Sequence, residues 1–447
     1  MGADDKSSVL IFLTKIYYLR GYSMKKAKIV FIGAGSMSFG IPTFQDLFTT
    51  PELAGASLRL VDIDQRNLNR MYELAVKMNE ESRLNFEISK TTDRLEALPG
   101  AEYVINSLAI ERCDLWKQDF QVPLKHGIKH CLGENGGPGA LFFTMRTIPV
   151  IIDICNDMER LCPDAWLLNF SNPESRIILA VNKYTKIKCI GLCHGYYMAK
   201  SDVSKILGLP LEEFEISTAG LNHFQWITGI HRKSDNEDLY PKLVELENAY
   251  DSEFSPLTRK VFRAFGYWPT CSDDHLGEYL MYGYESGMHG YDFEEDERER
   301  YKMEQDISDI VSGKADIKRW FNKSGEKAVE VIAALHTGVR ANIPSAIVYN
   351  EGAISNLPSD LAVEVPIIVD GSGIQKVHVG IMPGGPVALM TLSVGAQQMA
   401  VEAAVRGNRQ IALQALLCDP VITSTVAAEK ILDELWEINK KYIRAVI

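Results

Sequence analysis

Two short triplets and one glycine turn carry the chemistry of this chain. The triplets are Leu192-Cys193-His194 and Leu221-Asn222-His223. A cysteine thiolate and a histidine imidazole suit Mn, Fe, Co or Zn, with oxygens completing the shell. Cys193 and His223 are far apart in sequence, so only the fold can bring them to one cation. The turn is Gly33-Ala34-Gly35-Ser36, directly after the apolar run Lys28–Ile32. Its two glycines allow a tight turn and close approach to a pyrophosphate, whose charge meets the start of the next helix. Ser38 stands where such turns carry a third, packing glycine. A nicotinamide and a transition metal held together can run redox-assisted chemistry on a hydroxylated carbon.

Each feature also has a plainer reading. A single cysteine is commonly a small buried hydrophobe, a single histidine is commonly structural, and a GxG alone is a weak signal. Position favours function: the glycine turn follows a strand and precedes a helix, and Cys193 closes another strand. Asp62, at the end of the second strand, is placed to accept bonds from a ribose hydroxyl, which favours NAD over NADP. Asn172-Pro173 closes a fifth strand, where the amide would lie between cofactor and substrate, as in hydroxyacid dehydrogenases, or form only an Asx turn. Hydroxyacid dehydrogenases then need an Asp and an Arg where this chain has Cys193 and Tyr196. A metal ligand thus stands where their proton relay would be. Glu134–Gly139 reads as a flexible, donor-rich loop, either a site cover or a turn. Arg146 is a candidate contact for an anionic group or a helix cap. Ser272-Asp273-Asp274-His275-Leu276-Gly277-Glu278-Tyr279 offers a general base, or merely a capped helix start.

The elements that must position these groups alternate. Candidate strands are Lys28–Ile32, Ser57–Val61, Phe86–Ser89, Tyr103–Ser107, Trp166–Asn169 and Lys188–Leu192. Helices are expected at Ile41–Phe48, Asn67–Asn79 (capped by Asp64), Thr147–Leu161 (Pro149 in its first turn) and Glu174–Tyr184. This pattern predicts an α/β fold, a Rossmann-type doubly wound parallel sheet over residues 24–195. Residues 196–447 read as an α+β substrate and metal domain with a helical tail from Val394. In it Leu361–Val369 and Gln375–Ile381 flank a hairpin-like Asp370–Gly373, and Tyr291–Lys314 reads as a solvated helix or lid. Residues 1–23 read as an extension outside the fold.

The 447 residues carry a net charge of -12, which argues against nucleic acid or an anionic membrane as partner. No apolar run approaches the roughly 18 residues of a membrane helix. Eight cysteines without regular spacing read as reduced thiols in a cytoplasmic protein. The apolar tail favours a homodimer or homotetramer.

Taken together the motifs resemble glycoside hydrolase family 4. They are Ile32-Gly33-Ala34-Gly35-Ser36, Val61-Asp62-Ile63-Asp64, Arg146-Thr147-Ile148-Pro149, Asn172-Pro173, Gly191-Leu192-Cys193-His194, Gly220-Leu221-Asn222-His223, and Asn356-Leu357-Pro358 with Val363-Glu364-Val365. The resemblance implies an NAD⁺-dependent glycosidase using Mn²⁺, or another divalent ion such as Co²⁺, Ni²⁺ or Fe²⁺. It implies hydride removal from sugar C3, deprotonation at C2, and elimination of the aglycone. It casts Cys193 and His223 as metal ligands, and Gly33, Gly35, Ser36 and Asp62 as cofactor contacts. Asn172, Asn222 and Arg146 become substrate contacts, Asp273 the base with Asp274 as its rival, and His194 a proton donor. His194 after the cysteine resembles the branch acting on unphosphorylated α-glucosides, α-galactosides and α-galacturonides, and Ser324-Gly325-Glu326 resembles its galacturonidases. Two rivals stand beside it: an NAD-dependent sugar or hydroxyacid dehydrogenase, and a catalytically silent NAD-binding regulator.

Overall fold

A computed structural model describes residues 26–286 and 290–444; the extension read from residues 1–23 lies outside them. The first six strands are β1 (Lys28–Ile32), β2 (Ser57–Val61), β3 (Glu87–Thr91), β4 (Tyr103–Asn106), β5 (Trp166–Asn169) and β6 (Lys188–Gly191). All six are parallel, in the order β3-β2-β1-β4-β5-β6. Direction of winding reverses between β1 and β4, the crevice where open α/β sheets bind ligands. Alternate residues of β1 divide between two cores, as a period of two requires. Ile29 and Phe31 pack with the helices Met37–Leu47 and Gln65–Ser82, while Val30 and Ile32 pack with Gly137–Leu161 and Glu174–Tyr184.

The remaining strands join the same sheet. They are β7 (Phe214–Leu221), β8 (Phe224–Arg232), β9 (Ala341–Tyr349), β10 (Ala362–Asp370) and β11 (Gly373–Lys376). β9 lies antiparallel to β6 through Gly191 and Ile347, and the order continues β10-β7-β8, with β11 on β10. The expected hairpin around Asp370 is present; its second strand ends at Lys376 rather than Ile381. This antiparallel annex carries the tip of the β7–β8 hairpin to the carboxyl edge of β6.

Two expectations are corrected here. Asp64 does cap its helix, accepting N–H bonds from Arg66 at 2.8 Å and Asn67 at 3.0 Å. The helix expected from Thr147 instead begins at Gly137, with Pro138 in its first turn and Pro149 inside. Burial of Ala140 to Met145 outweighs the hydrogen bond that Pro149 removes. At 25 residues it is also long and apolar enough to cross a membrane, contrary to the sequence reading. It is buried from Gly137 through Pro149, as a core helix is.

Arg146 is the second correction. It is fully buried, with Nη2 2.6 Å from Asp119 Oδ2 and Nη1 donating to Asn439 Oδ1 at 3.3 Å. Its guanidinium lies over the Phe143 ring at 4.4 Å. Burial pushes the Asp119 carboxyl up to about 6, against the downward pull of Arg146. Arg146 therefore ties three helices together (Gly137–Leu161, Arg112–Lys125 and Thr425–Asn439) and has no open face for a ligand. Removing one partner of a buried pair strands the other charge. Arg146→Met is expected to cost about 3–5 kcal/mol of unfolding free energy in urea denaturation. An unchanged midpoint would return Arg146 to ligand binding.

Candidate active site

The glycine turn is built around contacts that exclude a side chain. Gly33 has φ +79, and a Cβ there would lie 2.7 Å from the Leu108 nitrogen. A Cβ on Gly35 would lie 2.7 Å from Asp62 Oδ2, the atom that accepts the Gly35 N–H at 2.8 Å. Asp62 Oδ1 accepts the Asp64 N–H at 2.8 Å. Burial raises the Asp62 carboxyl above its usual range, while the bonds from Asp64 and Gly35 oppose that. Asp62 thus fixes the turn. Ser36 opens the helix Met37–Leu47 without a side-chain capping bond. Its first N–H groups stay available to an anion. Ser38 is exposed, and close packing falls one turn away at Gly40, against Met71. The turn borders a cleft of about 790 Å³, lined also by Asp62, Asn67, Arg94, Ser107 and Arg112.

A second cluster forms past the end of β6. Glu174 accepts the Leu192 N–H at 2.7 Å, fixing the chain as it leaves the sheet. Cys193 follows, accepting the Gly195 N–H at 3.4 Å. The side chain of His194 is exposed and stands 3.3 Å from Glu326 Oε1. Leu221 pairs with Phe224 across the β7–β8 hairpin, so Asn222 and His223 form its two-residue turn. His223 adopts φ +60, a conformation disfavoured for any residue with a Cβ.

The hairpin is held by β10. Asn222 Nδ2 donates to Glu364 Oε2 at 3.1 Å, and Ser345 Oγ donates to Glu364 Oε1 at 2.6 Å. Burial pushes Glu364 up to about 7 despite these bonds. Asn222, expected to touch substrate, has its amide nitrogen committed to Glu364. Its buried amide oxygen has no hydrogen-bond partner among the described residues.

Three donors converge: one ligand atom each from His223, Cys271 and His275 lie within 4.8 Å of one another. The two imidazole centroids are 4.0 Å apart. Cys193 lies beside that triad, outside it. The point where Gly195 would carry a Cβ lies 3.5 Å from Cys271 Sγ and 3.8 Å from Cys193 Sγ. Burial raises both thiols, and it lowers His223 with help from His275 and His194. A neutral imidazole is the ligating form, and cation binding is what deprotonates such thiols. The donor set therefore fits a divalent transition metal. Sequence reading gave Cys271 and His275 no role at a metal. The available signal was their spacing, a Cys and a His four apart across a helix start.

Glu278 organises the centre. Its Oε1 accepts the N–H groups of Glu134 at 2.5 Å and Asn135 at 2.8 Å, and Oε2 meets His275 Nδ1 at 3.2 Å. Burial alone would lower His275, yet the Glu278 bond, with Asp274 and Glu134 nearby, brings it up to about 9. The amide of Asn135 meets His223 Nδ1 at 3.0 Å. Glu134 and Asn135 are buried, so the segment expected to be a flexible loop is a clamped one, and Gly137 already begins a helix.

Asp273 takes a different place from the one expected. Its two oxygens accept the N–H groups of Leu257 and Thr258, each at 2.8 Å, and so cap the helix Pro256–Phe265. Asp274 Oδ1 accepts from the Ser272 hydroxyl and from the His275 N–H at 2.9 Å, which puts its carboxylate beside the cluster. Asn172 is half-buried beyond β5, on the same carboxyl edge.

Comparison with known proteins points one way. Residues 28–209 match the model of the family 4 glycosyl hydrolases, and residues 218–422 match that of their C-terminal domain. An alpha-glucosidase of Erwinia rhapontici is 31% identical over 449 residues, spanning 91% of this chain and 96% of that protein. An alpha-galactosidase of Bacillus subtilis (strain 168) is 32% identical over 418 residues, spanning 91% and 95%. The structure of a 6-phospho-alpha-glucosidase from gut microorganisms, in complex with NAD and glucose-6-phosphate, superimposes with a TM-score of 0.81. It is 26% identical and covers 95% of this chain and 100% of that one.

The capping geometry of Asp273 has a direct test. Asp273→Asn is expected to lower stability by about 1 kcal/mol, read as a fall in melting temperature. Loss of turnover with unchanged melting would make Asp273 the base after all.

Proposed function

The chain belongs to the family 4 glycosyl hydrolases, and from that premise we propose that it hydrolyses unphosphorylated α-glycosides, using NAD⁺ and a divalent metal, by transient oxidation at sugar C3. The observation that supports this reading is the convergence of His223, Cys271 and His275 at the carboxyl edge of the sheet, with the sulfurs of Cys193 and Cys271 both flanking Gly195. The glycine turn lies close by. Phe39, from the helix that follows that turn, stacks on Phe170 at 5.1 Å and stands 6.4 Å from the His194 ring. When bound, the nicotinamide would take and return a hydride, and the metal would draw electron density from the sugar oxygens at C2 and C3.

The chain's own groups then have distinct tasks. Gly33, Gly35 and the uncapped helix start receive the pyrophosphate. Asp62 keeps lone pairs for a ribose hydroxyl beyond its two backbone bonds. Cys193 and His223 hold the cation, and Asn172 orients sugar hydroxyls beside it. Asp274 takes the C2 proton, because Asp273 is engaged in capping. His194, exposed and paired with Glu326, delivers a proton to the departing oxygen. A reducing, cytoplasmic setting suits thiols at a cation.

Charge favours a neutral sugar. Asp274 acts electrostatically on Cys271 and His275, and Glu326 stands 3.3 Å from His194. Such a field opposes a phosphate or a uronate. The galacturonidase-like Ser324-Gly325-Glu326 segment is already engaged: Ser324 N–H donates to Asp46 at 2.8 Å, and Glu326 meets His194.

A panel of nitrophenyl α-glucoside, α-galactoside, α-galacturonide and a 6-phospho-α-glucoside tests the reading, each with and without NAD⁺ and Mn²⁺. Cleavage of the neutral sugars only when both are present is expected. Accumulation of NADH with substrate would identify a dehydrogenase, and preference for the galacturonide would reverse the charge argument. In deuterated solvent, Asp274→Asn is expected to slow exchange at C2 by about 100-fold. A full exchange rate in a folded variant would remove Asp274 as base.

A further inference from the structure

We propose that Cys271 and His275 are additional ligands of the cation held by Cys193 and His223, so that this chain offers a sulfur-rich, nitrogen-completed donor set preferring Zn²⁺, Co²⁺ or Fe²⁺ to Mn²⁺. The proposal rests on the metal-dependent reading above and deepens it.

Geometry carries the case. His223, Cys271 and His275 present donor atoms within 4.8 Å of one another, a spread one ion can bridge. The Cys193 sulfur borders the same space across Gly195. A merely structural cysteine behaves as a small hydrophobe and sits among apolar neighbours. Cys271 is buried beside two imidazoles, and its backbone is held at φ +76. Two non-glycine residues in left-handed conformation, His223 and Cys271, therefore meet in one cluster.

The outer contacts match those of ligating histidines. Glu278 engages His275 Nδ1, the carboxylate–imidazole pairing that leaves Nε2 as the donor. Asn135 Nδ2 stands 3.0 Å from His223 Nδ1, and a metal at Nε2 requires that amide to turn so that its oxygen accepts Nδ1–H. Two thiolates neutralise a divalent cation. Thiolates select softer ions than manganese, which favours oxygen donors. Co²⁺ and Fe²⁺ accept six donors, which leaves two positions for the sugar oxygens at C2 and C3.

Cobalt titration of the metal-free full-length protein provides the test. The wild type is expected to develop a thiolate-to-cobalt charge-transfer band. Cys271→Ser and Cys193→Ser are each expected to halve the band, and the double variant to lose it. His275→Asn is expected to shift the visible cobalt d–d bands. Cys271→Ser is further expected to weaken Zn²⁺ binding on the order of a hundredfold, with a smaller effect on Mn²⁺. A band abolished by Cys193→Ser and untouched by Cys271→Ser would overturn Cys271 while leaving the proposed function standing. Unchanged d–d bands in His275→Asn would remove His275. No charge-transfer band in the wild type would overturn both the extended site and the thiolate-held metal beneath it.

Discussion

One buried carboxylate organises the centre. Glu278 accepts two backbone N–H groups from the Glu134–Asn135 segment and holds the His275 ring. Asn135, positioned by those bonds, reaches the His223 ring. Both imidazoles therefore take their orientation directly or indirectly from the same side chain. A buried polar network of this kind is worth its desolvation only when its members are satisfied together. The segment before the long core helix and the helix start around Asp273 are thus joined through the site itself.

The sheet supplies the other half of the positioning. A parallel Rossmann-like sheet places its ligands at the carboxyl ends of its strands, and here the antiparallel strands β9, β10, β7 and β8 extend its edge past β6. Through Glu364 opposite Gly220, the hairpin tip is delivered beside Cys193. Residues distant in sequence meet because two modes of strand pairing share one sheet. The bond from Asn222 to Glu364 then fixes the tip, and Tyr279 donates to the Asn222 carbonyl at 3.0 Å, joining the hairpin to the Glu278 segment.

Much of this was legible in the residues. Strands β2 and β5 and the helix Glu174–Tyr184 fall where alternation and periodicity put them, because their local pattern agrees with their burial. Gly33 and Gly35 were readable because a close approach of backbone to Ser107, Leu108 and Asp62 leaves glycine as the fitting choice. Arg146 misled because sequence cannot distinguish an arginine facing an anion from one facing a buried Asp119. Asp273 misled for a related reason: its partners are backbone N–H groups of another helix, which leave no trace in side-chain spacing. Pro149 was read as a helix start although tertiary burial carries the helix through it. Cys271 and His275 escaped because a cysteine before an acidic helix start looks ordinary until the hairpin tip is placed against it.

The helix that rises from the glycine turn reaches both centres. At one end it frames the dinucleotide cleft, and along its length Phe39 faces His194 while Asp46 grips Ser324, two residues before Glu326. The cleft and the exposed imidazole thus share one supporting element, so a substitution that displaces this helix disturbs both at once.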